Sequence, residues 1–190
     1  MLVLDLTPFP VLTTERLVLR EPTLDDVDAL FAMRSDPEVA RYTGKHPDTD
    51  REVVRALIET MRARNAANTS VQRAVALREA PDVLIGVCGL WQTKLEHYRG
   101  ELGYSLARAH WGRGYAREAV AATVAHAFDV LGFHSVEAVV APGNAASIRV
   151  LEVCGFVREA YFREDFFFDG KFEDSAVYGR LTPHRGALGA

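Results

Sequence analysis

Hydrophobic residues along this 190-residue chain recur with two different spacings, and the spacing changes repeatedly from one segment to the next. Alternation of apolar and polar residues is typical of a half-buried β-strand, whereas a spacing of about 3.6 residues is typical of a helix. Alternation predicts strands in four early segments: 15–22, 71–79, 83–93 and 100–107. The last three should form an antiparallel meander, with a turn at Pro81 and Asp82 joining the first two of them.

Helical spacing follows the first predicted strand and then recurs before the meander. Thr23 and Asp26 have the spacing of a helix cap at the start of residues 24–36. Thr49 and Glu52 have the spacing of a capping box at the start of a second helix. The apolar stripe that this second helix should bury consists of Val53, Val54, Leu57, Ile58 and Met61.

A longer helical pattern follows the meander and leads into another strand. Its apolar positions are Ala116, Val120, Val124, Ala127, Phe128 and Leu131. Gly132 is suited to end the helix, and residues 134–141 then alternate as a strand. A strand, a helix and a strand in this order predict a right-handed crossover with parallel strands. The helix N-terminus then faces the crevice at their carboxyl ends.

The segment that joins the meander to this helix, residues 110–119, has the sequence HWGRGYAREA. Glycine costs about 1 kcal/mol relative to alanine inside a helix, so Gly112 and Gly114 at the helix start indicate that bare backbone is needed there. Free first-turn N–H groups and the helix dipole predict a phosphate or pyrophosphate bound at Gly112 to Ala116. An ordinary tight turn is the alternative. The dinucleotide fingerprint and the Walker sequence are both absent, which disfavours nucleotide sites of those types.

A second group of polar residues follows the parallel strand, in the segment NAASIRVLEVCGF at 144–156. Asn144 and Ser147 lie at a helix start, where both should face the same crevice as the glycine loop. The alternative is that Asn144 caps the helix and Ser147 hydrogen-bonds locally. The conjunction with the glycine loop favours a site.

The C-terminal region predicts a β-hairpin with Asp169 and Gly170 as its two-residue turn, between residues 161–168 and 171–179. Its aromatic residues are more typical of a core or a dimer interface than of a substrate pocket. They are Phe162, Phe166, Phe167 and Phe168.

Composition narrows the classes of function. The 22 Lys and Arg and 26 Asp and Glu give a net charge of −4, which disfavours nucleic acid and anionic membranes as partners. No apolar run reaches the ~18 residues of a membrane span, and the N-terminus lacks the basic segment of a secretory signal. Cys88 and Cys154 lie in apolar stretches and are expected to be buried thiols in a reducing compartment rather than a disulfide or a metal site. We therefore expect a cytoplasmic, metal-free protein with one domain over 1–190, a core at about 13–181 and loose termini.

The ordered motifs WGRGYAREA and NAASIRVLEVCGF resemble those of the GNAT acetyltransferase superfamily, and most closely its RimJ/RimL-like branch. The similarity starts at TERLVLREPTLDD, passes through GELGYSL and ends at FEDSAVYGRL, so it covers nearly the whole chain. It implies a mixed α+β fold with a strongly twisted sheet of six or seven strands and about four helices. It also implies acetyl-CoA as co-substrate, held in a V-shaped gap between splayed parallel strands, in a single N-acetyltransferase domain.

The resemblance also assigns cofactor-binding positions. The family pattern [Q/R]-x-x-G-x-[G/A] falls on Trp111, Gly114 and Ala116, and Trp111 departs from it. The residues implied to lie at the cofactor are Leu106, Ala107, Trp111, Gly112, Arg113, Gly114, Tyr115, Ala116, Asn144 and Ser147. The backbone of Leu106 and Ala107 matches positions that pair with the pantetheine and acetyl groups, and the Leu106 N–H is implied to polarise the thioester carbonyl.

Acetyl transfer to an amine requires a neutral nucleophile, a donor for the developing oxyanion and a proton for the leaving thiolate. Glu101 resembles the family's general base, with an edge-strand surface residue as the alternative. Rival acids are Glu164, Asp165 and Asp174. Many members carry a tyrosine where this chain has Leu151, and the RimJ/RimL-like branch has a serine at Ser147, which is implied to be the proton donor or the hydrogen-bond donor to sulfur.

Direct attack in a ternary complex is favoured over an acyl-cysteine intermediate, since no His-Asp pattern accompanies either cysteine. The implied acceptor is a primary amine, either a protein N-terminus or a small amine, and a homodimer is a further expected assembly. Two other classes of function stay open: a catalytically silent acyl-CoA-binding sensor and a non-enzymatic interaction domain.

Overall fold

The described structure, a computed structural model, covers residues 1–183 and contains one eight-stranded sheet and five α-helices. The strands are β1 Leu12–Thr13, β2 Leu17–Arg20, β3 Val71–Leu77, β4 Ala80–Lys94, β5 Arg99–Leu106, β6 Ser135–Val140, β7 Val157–Phe168 and β8 Lys171–Leu181. The helices are α1 Val27–Arg34, α2 Pro37–Ala40, α3 Arg51–Ala66, α4 Tyr115–Asp129 and α5 Ala145–Val153.

The sheet order is β1-β2-β3-β4-β5-β6-β8-β7, and only β5 and β6 are parallel. The predicted mixed fold, the antiparallel meander and the parallel crossover are therefore confirmed. The expected counts of six or seven strands and about four helices are each one too low. The missing elements, the two-residue β1 and the four-residue α2, are too short to show a period in the sequence.

Of the two predicted helix caps, one is confirmed and the other lies one residue further along the chain. The Asp26 carboxylate accepts a 2.8 Å hydrogen bond from the backbone N–H of Thr23, as expected, before a single 3-10 turn leads into α1. At α3 the cap is Asp50, which accepts a 2.9 Å bond from the Glu52 N–H, so the prediction of Thr49 is wrong by one residue.

The stripe predicted along α3 is narrower than expected. Its buried residues include Val54, Ile58 and Met61, whereas Val53 is 55% exposed. The prediction that Val53 is a core residue is therefore wrong. The face of α3 that packs against the sheet is the one that carries Val54, Ile58 and Met61.

The turn between β3 and β4 also differs from the prediction. Leu77 pairs with Ala80, so the turn consists of Arg78 and Glu79 rather than Pro81 and Asp82. The predicted turn residues instead lie within β4 at a register irregularity, a position that tolerates a proline without a ladder N–H.

The core has two clusters that involve different helices. The larger contains buried residues of α4 and α5, and the smaller contains residues of α1 and α3. Leu2, Leu4 and Leu6 are buried in the larger cluster, so the core extends to the N-terminal side of residue 13. Cys88 and Cys154 are free, buried thiols, as predicted.

The C-terminal hairpin has the predicted turn, since Phe168 pairs with Lys171 across Asp169 and Gly170. Its aromatics are not in the core: Phe162, Phe166 and Phe167 are between 43% and 61% exposed. The core interpretation of these side chains is therefore wrong, and the dimer interface stays a prediction. Within residues 1–183, no helix is long and apolar enough to cross a membrane.

The feature that positions the site is a divergence of β5 from β6. The two strands pair only at three positions, from Arg99 opposite Ser135 to Glu101 opposite Glu137. Beyond Glu101, β6 continues to pair with β8, while Leu102 to Leu106 of β5 have no bridge to β6. The result is the V-shaped gap that the family resemblance implies.

Candidate active site

The glycine loop lies at the carboxyl end of β5 and opens onto this gap. Gly112 and Gly114 have φ values of +72° and +79°, a region that favours glycine, and a Cβ on Gly112 would meet no atom within 4 Å. Gly114 is the N-cap of α4, and the helical ladder begins with the 3.1 Å bond from the Glu118 N–H to the Gly114 carbonyl. The first-turn amides, including those of Tyr115 and Ala116, therefore have no intrahelical acceptor and can bind an anion.

Side chains from the opposite end of the sequence hold this loop in place. The Arg16 guanidinium donates to the Arg113 carbonyl (2.9 Å) and to Glu118 Oε2 (2.7 Å), and lies 4.7 Å from the centre of the Tyr115 ring. Glu118 Oε1 accepts from Thr14 Oγ1 (2.6 Å) and from the Arg16 N–H (2.8 Å). Desolvation alone would raise the pKa of Glu118, but these hydrogen bonds outweigh it and the pKa lies below its ordinary value. We call these residues, Thr14, Arg16 and Glu118, the loop clamp.

The backbone at the end of β5 divides its hydrogen bonds between the sheet and the gap. Ala107 donates to the Ile85 carbonyl (2.8 Å) and accepts from the His110 N–H (2.9 Å). Its main-chain N–H is therefore engaged in the sheet, so only its carbonyl oxygen could pair with the cofactor, and that pairing stays a prediction. Because hydrogen-bonded pairs alternate in an antiparallel ladder, the Leu106 N–H points away from β4, toward the gap. The Trp111 indole N–H donates to the Leu106 carbonyl (2.8 Å), so Trp111 contacts the strand end.

The start of α5 borders the gap from the side of β6. Asn144 caps the helix, since its Oδ1 accepts a 3.1 Å bond from the Ser147 N–H. The Ser147 hydroxyl lies 2.7 Å from the Tyr104 hydroxyl of β5, so the predicted serine does meet the strand that carries the gap. Leu151, at the position where many family members have a tyrosine, is fully buried in the core.

Glu101 lies at the vertex of the gap, where β5 and β6 last pair. On its other side β4 has an irregularity in which Trp91 is the extra residue between the partners of Leu102 and Glu101. Burial and then the charge of Glu137 raise the pKa of Glu101 above its ordinary value, although a hydrogen bond from Trp91 acts in the opposite direction. Arg99 pairs with Glu137 rather than with Glu101. Glu101 therefore has the environment of a proton acceptor with a perturbed pKa.

The rival carboxylates are engaged within the β7–β8 hairpin. Asp174 accepts from the Tyr161 hydroxyl and from the Glu164 N–H, and these two bonds lower its pKa, which makes it a weaker base. Asp165 accepts a 2.6 Å bond from Ser175 Oγ, and the Glu164 side chain belongs to an exposed residue. Of the four acids, only Glu101 lies on a strand that lines the gap.

Glu101 and Tyr104 project from opposite faces of β5, because they are three residues apart on a strand. Tyr104 packs against the larger core cluster beneath α4 and α5, whereas Glu101 faces the other side of the sheet. The gap is therefore bordered by Tyr104 on one face of the sheet and by Glu101 on the other. Elsewhere in the fold the loop at 42–50 contacts the hairpin, through a ring contact of 4.9 Å between His46 and Phe168.

Sequence reasoning missed four contributors to this site, namely Tyr104 and the three residues of the loop clamp. Arg16 and Glu118 are 102 residues apart, and no local pattern joins them. Tyr104 was accessible to sequence reasoning, because it alternates with Leu102 and Leu106 and so shares their face of the strand. Within residues 1–183, no group of three or more His, Cys, Asp and Glu side chains is arranged to hold a metal ion.

Comparisons with known proteins agree with this geometry. The family model of the acetyltransferase (GNAT) domain matches residues 16–157. The chain is 34% identical over 175 residues to the uncharacterized N-acetyltransferase YoaA of Bacillus subtilis, a match that covers 92% of this chain and 98% of YoaA.

Two solved structures have the same fold. The acetyltransferase (GNAT family) from Bacillus anthracis has a TM-score of 0.80 at 27% identity, over 90% of this chain and 98% of that one. RimL, a ribosomal L7/L12 alpha-N-protein acetyltransferase in complex with coenzyme A, has a TM-score of 0.83 at 16% identity, over 91% and 98% of the two chains. At that identity RimL shows the shared fold, and the closer placement of this chain in the RimJ/RimL-like branch stays a prediction. The family match and the YoaA relative together show that this chain belongs to the GNAT acetyltransferase family and is an acetyltransferase.

Proposed function

We propose that this acetyltransferase moves the acetyl group of acetyl-CoA to a primary amine, which attacks directly in a ternary complex. The observation that carries the proposal is the unpaired edge of β5 beyond Glu101, which leads to the glycine loop. When bound, acetyl-CoA supplies a thioester as the acyl donor. Residues Gly112 to Ala116 would hold its pyrophosphate, and the Leu106 N–H would donate to the thioester carbonyl.

The residues around the gap have complementary roles in this reaction. Glu101 accepts a proton from the ammonium form of the acceptor, directly or through water, which makes the amine nucleophilic. Ser147 donates a hydrogen bond to the sulfur as negative charge develops there. Both cysteines are buried, and burial raises the pKa of Cys88 to about 11, which supports direct transfer rather than an acyl-cysteine route.

The acceptor is a protein N-terminus or a small primary amine that reaches Glu101 from the face opposite α4. RimL, whose fold this chain shares, is named for an α-amino group of a ribosomal protein. In this chain the 42–50 loop and the hairpin are joined by the contacts of His46 with Phe168 and of Gly44 with Phe166, and we expect them to border that face. These elements therefore select the acceptor.

The function is tested by thermal denaturation with and without CoA, followed by acetyl transfer to a panel of primary amines. CoA at ~100 times its Kd should stabilise the fold by about 2.7 kcal/mol, and at least one amine should be acetylated. Stabilisation without transfer to any amine would favour the silent sensor. No stabilisation at all would favour the interaction domain.

Substitution of Gly114 by valine tests where the cofactor binds. A valine would have to adopt a φ of +79°, and its Cβ would lie 3.4 Å from Arg16 Nη2 in the loop clamp. Strain of about 1–3 kcal/mol and the blocked approach to the amides should lower acetyl-CoA affinity by about 10- to 100-fold, as measured by calorimetry.

The matched control for this variant is Gly170→Val at the hairpin tip. Gly170 has a φ of +78°, close to that of Gly114, and no atom lies within 4 Å of a built Cβ there. It should therefore show the same backbone strain and an unaltered affinity. Equal affinities of Gly114→Val and the wild type would contradict the placement of the pyrophosphate.

A further inference from the structure

Tyr104 is a partly buried residue at the gap whose hydroxyl the proposed mechanism does not yet use. It lies on β5 between Leu102 and Leu106, and its ring packs against the larger core cluster. Its hydroxyl reaches α5, 43 residues later, where it lies 2.7 Å from Ser147 Oγ and 3.1 Å from the Ser147 carbonyl oxygen. Both of these contacts are with Ser147, the residue proposed to act on the leaving sulfur.

The number of hydrogens on these two groups limits what they can do together. Each hydroxyl carries one hydrogen and can also accept. If Tyr104 donates to the Ser147 carbonyl, Ser147 must donate to the Tyr104 oxygen to keep the 2.7 Å contact, and its hydrogen then points away from the gap. If Tyr104 instead donates to Ser147 Oγ, the serine hydrogen is released for another acceptor. Only the second arrangement allows Ser147 to bind a thiolate.

The surroundings of Tyr104 suit a hydrogen-bond donor that keeps its proton. Burial raises the pKa of Tyr104 above its ordinary value, and the hydrogen bond with Ser147 only partly opposes this shift. The phenol is therefore protonated throughout the neutral range. A donor to Oγ also polarises the serine hydroxyl and strengthens the bond that the serine itself donates.

We propose that Tyr104 is a positioning residue that donates a hydrogen bond to Ser147 Oγ and thereby directs the Ser147 hydroxyl toward the leaving sulfur. This inference rests on the proposed function. Glu101 has by then taken the proton of the ammonium form, so the acceptor is a neutral amine. In the step concerned, its nitrogen forms the new C–N bond, the C–S bond breaks with its electron pair going to sulfur, and the second nitrogen proton is lost to solvent water. Ser147 and Tyr104 keep their protons, and the thiolate is protonated afterwards by solvent.

The test is a double-mutant cycle of Tyr104→Phe and Ser147→Ala, with acetyl transfer and CoA binding both measured. Tyr104→Phe removes only the hydroxyl and retains the packed ring. It should lower kcat by about 2- to 10-fold, the equivalent of one hydrogen bond. The KM for acetyl-CoA and the thermal shift caused by CoA should both stay within about twofold of the wild-type values. In the Ser147→Ala background the same change should have no further effect on kcat, because the group that it positions is gone.

Tyr98→Phe is the control: the Tyr98 hydroxyl accepts from the N-terminal amine and has no contact with Ser147, so its removal should leave kcat unchanged. An unchanged kcat in Tyr104→Phe overturns the inference, as does a loss of equal size in the wild-type and Ser147→Ala backgrounds. A lower Tm with an unchanged kcat also overturns it, since the hydroxyl would then serve the fold alone. A wild-type protein that acetylates no amine removes the proposed function and this inference with it, whereas an active wild type with an unaffected Tyr104→Phe removes only the inference.

Discussion

Glu101→Gln is expected to lower kcat by about 10²- to 10⁴-fold, the range for loss of a positioned general base, with the Kd for acetyl-CoA nearly unchanged. Glutamine has the same shape but cannot accept the proton. Glu101 lies at the vertex of the gap, and its pKa is raised. Arg99 forms its ion pair with Glu137, so Glu101 is not made a weaker base by a direct ion pair with Arg99. Steady-state kinetics with a confirmed amine acceptor, together with calorimetry for acetyl-CoA, checks both halves of this expectation.

The pH profile gives this variant a second readout. In the wild type, kcat/KM should fall as pH falls through the raised pKa of Glu101, since the protonated carboxyl cannot accept a proton. Glu101→Gln should lose that acid limb and retain only the limb from the acceptor amine. The control Glu164→Gln changes an exposed acid of the hairpin and should leave the whole profile in place. Full activity of Glu101→Gln would show that another carboxylate or water, rather than Glu101, accepts the proton of the amine.

Ser147→Ala is expected to lower the rate of acetyl transfer by roughly 10- to 1000-fold, at near-unchanged affinity for acetyl-CoA. The substitution removes one hydroxyl and adds no bulk. The helix cap survives, because Asn144 accepts from the Ser147 backbone N–H rather than from its side chain. Leu151 is fully buried and apolar, so it offers no substitute hydroxyl.

A pre-steady-state measurement of acetyl transfer separates this role from a purely structural one. If the Ser147 hydroxyl only satisfies Tyr104, its loss should cost on the order of 1 kcal/mol of stability and leave the rate constant alone. Asn144→Ala is the informative comparison, since it should weaken the start of α5 by about 1 kcal/mol while leaving the serine hydroxyl in place. A rate constant equal to that of the wild type would remove Ser147 from the mechanism.

Local patterns predicted those parts of the fold whose cause is local. The alternation of β3, β5 and β8 and the glycine that follows α4 are properties of neighbouring residues, and the structure has them where the sequence indicates. The errors arose where several local solutions compete. Asp50 and Thr49 are both good caps, and Pro81 suits a turn as well as a strand irregularity, so the choice is made by the packing of α3 and the register of β4.

In the candidate site, too, the sequence indicates features that have a local cause and does not indicate those that depend on the sheet. Gly112, Gly114, Asn144 and Ser147 were found because their roles depend on their own helix starts. The unpaired state of the Leu106 N–H depends on where β6 turns away from β5, and the engagement of Ala107 depends on Ile85 in another strand. Such facts need the sheet register, which the sequence alone does not supply.

The loop clamp links cofactor binding to the order in which the chain folds. Arg16 reaches Glu118 across 102 residues, and closing a segment of that length costs conformational entropy that local structure cannot offset. The implied cofactor-binding residues all lie after residue 99, yet a fragment containing only that part of the chain would lack the Arg16 side chain that holds the Arg113 carbonyl. We therefore expect the affinity for acetyl-CoA to depend on the docking of β2 in the sheet. A chain in which β2 has not yet docked would carry every motif of the family and still bind its co-substrate weakly.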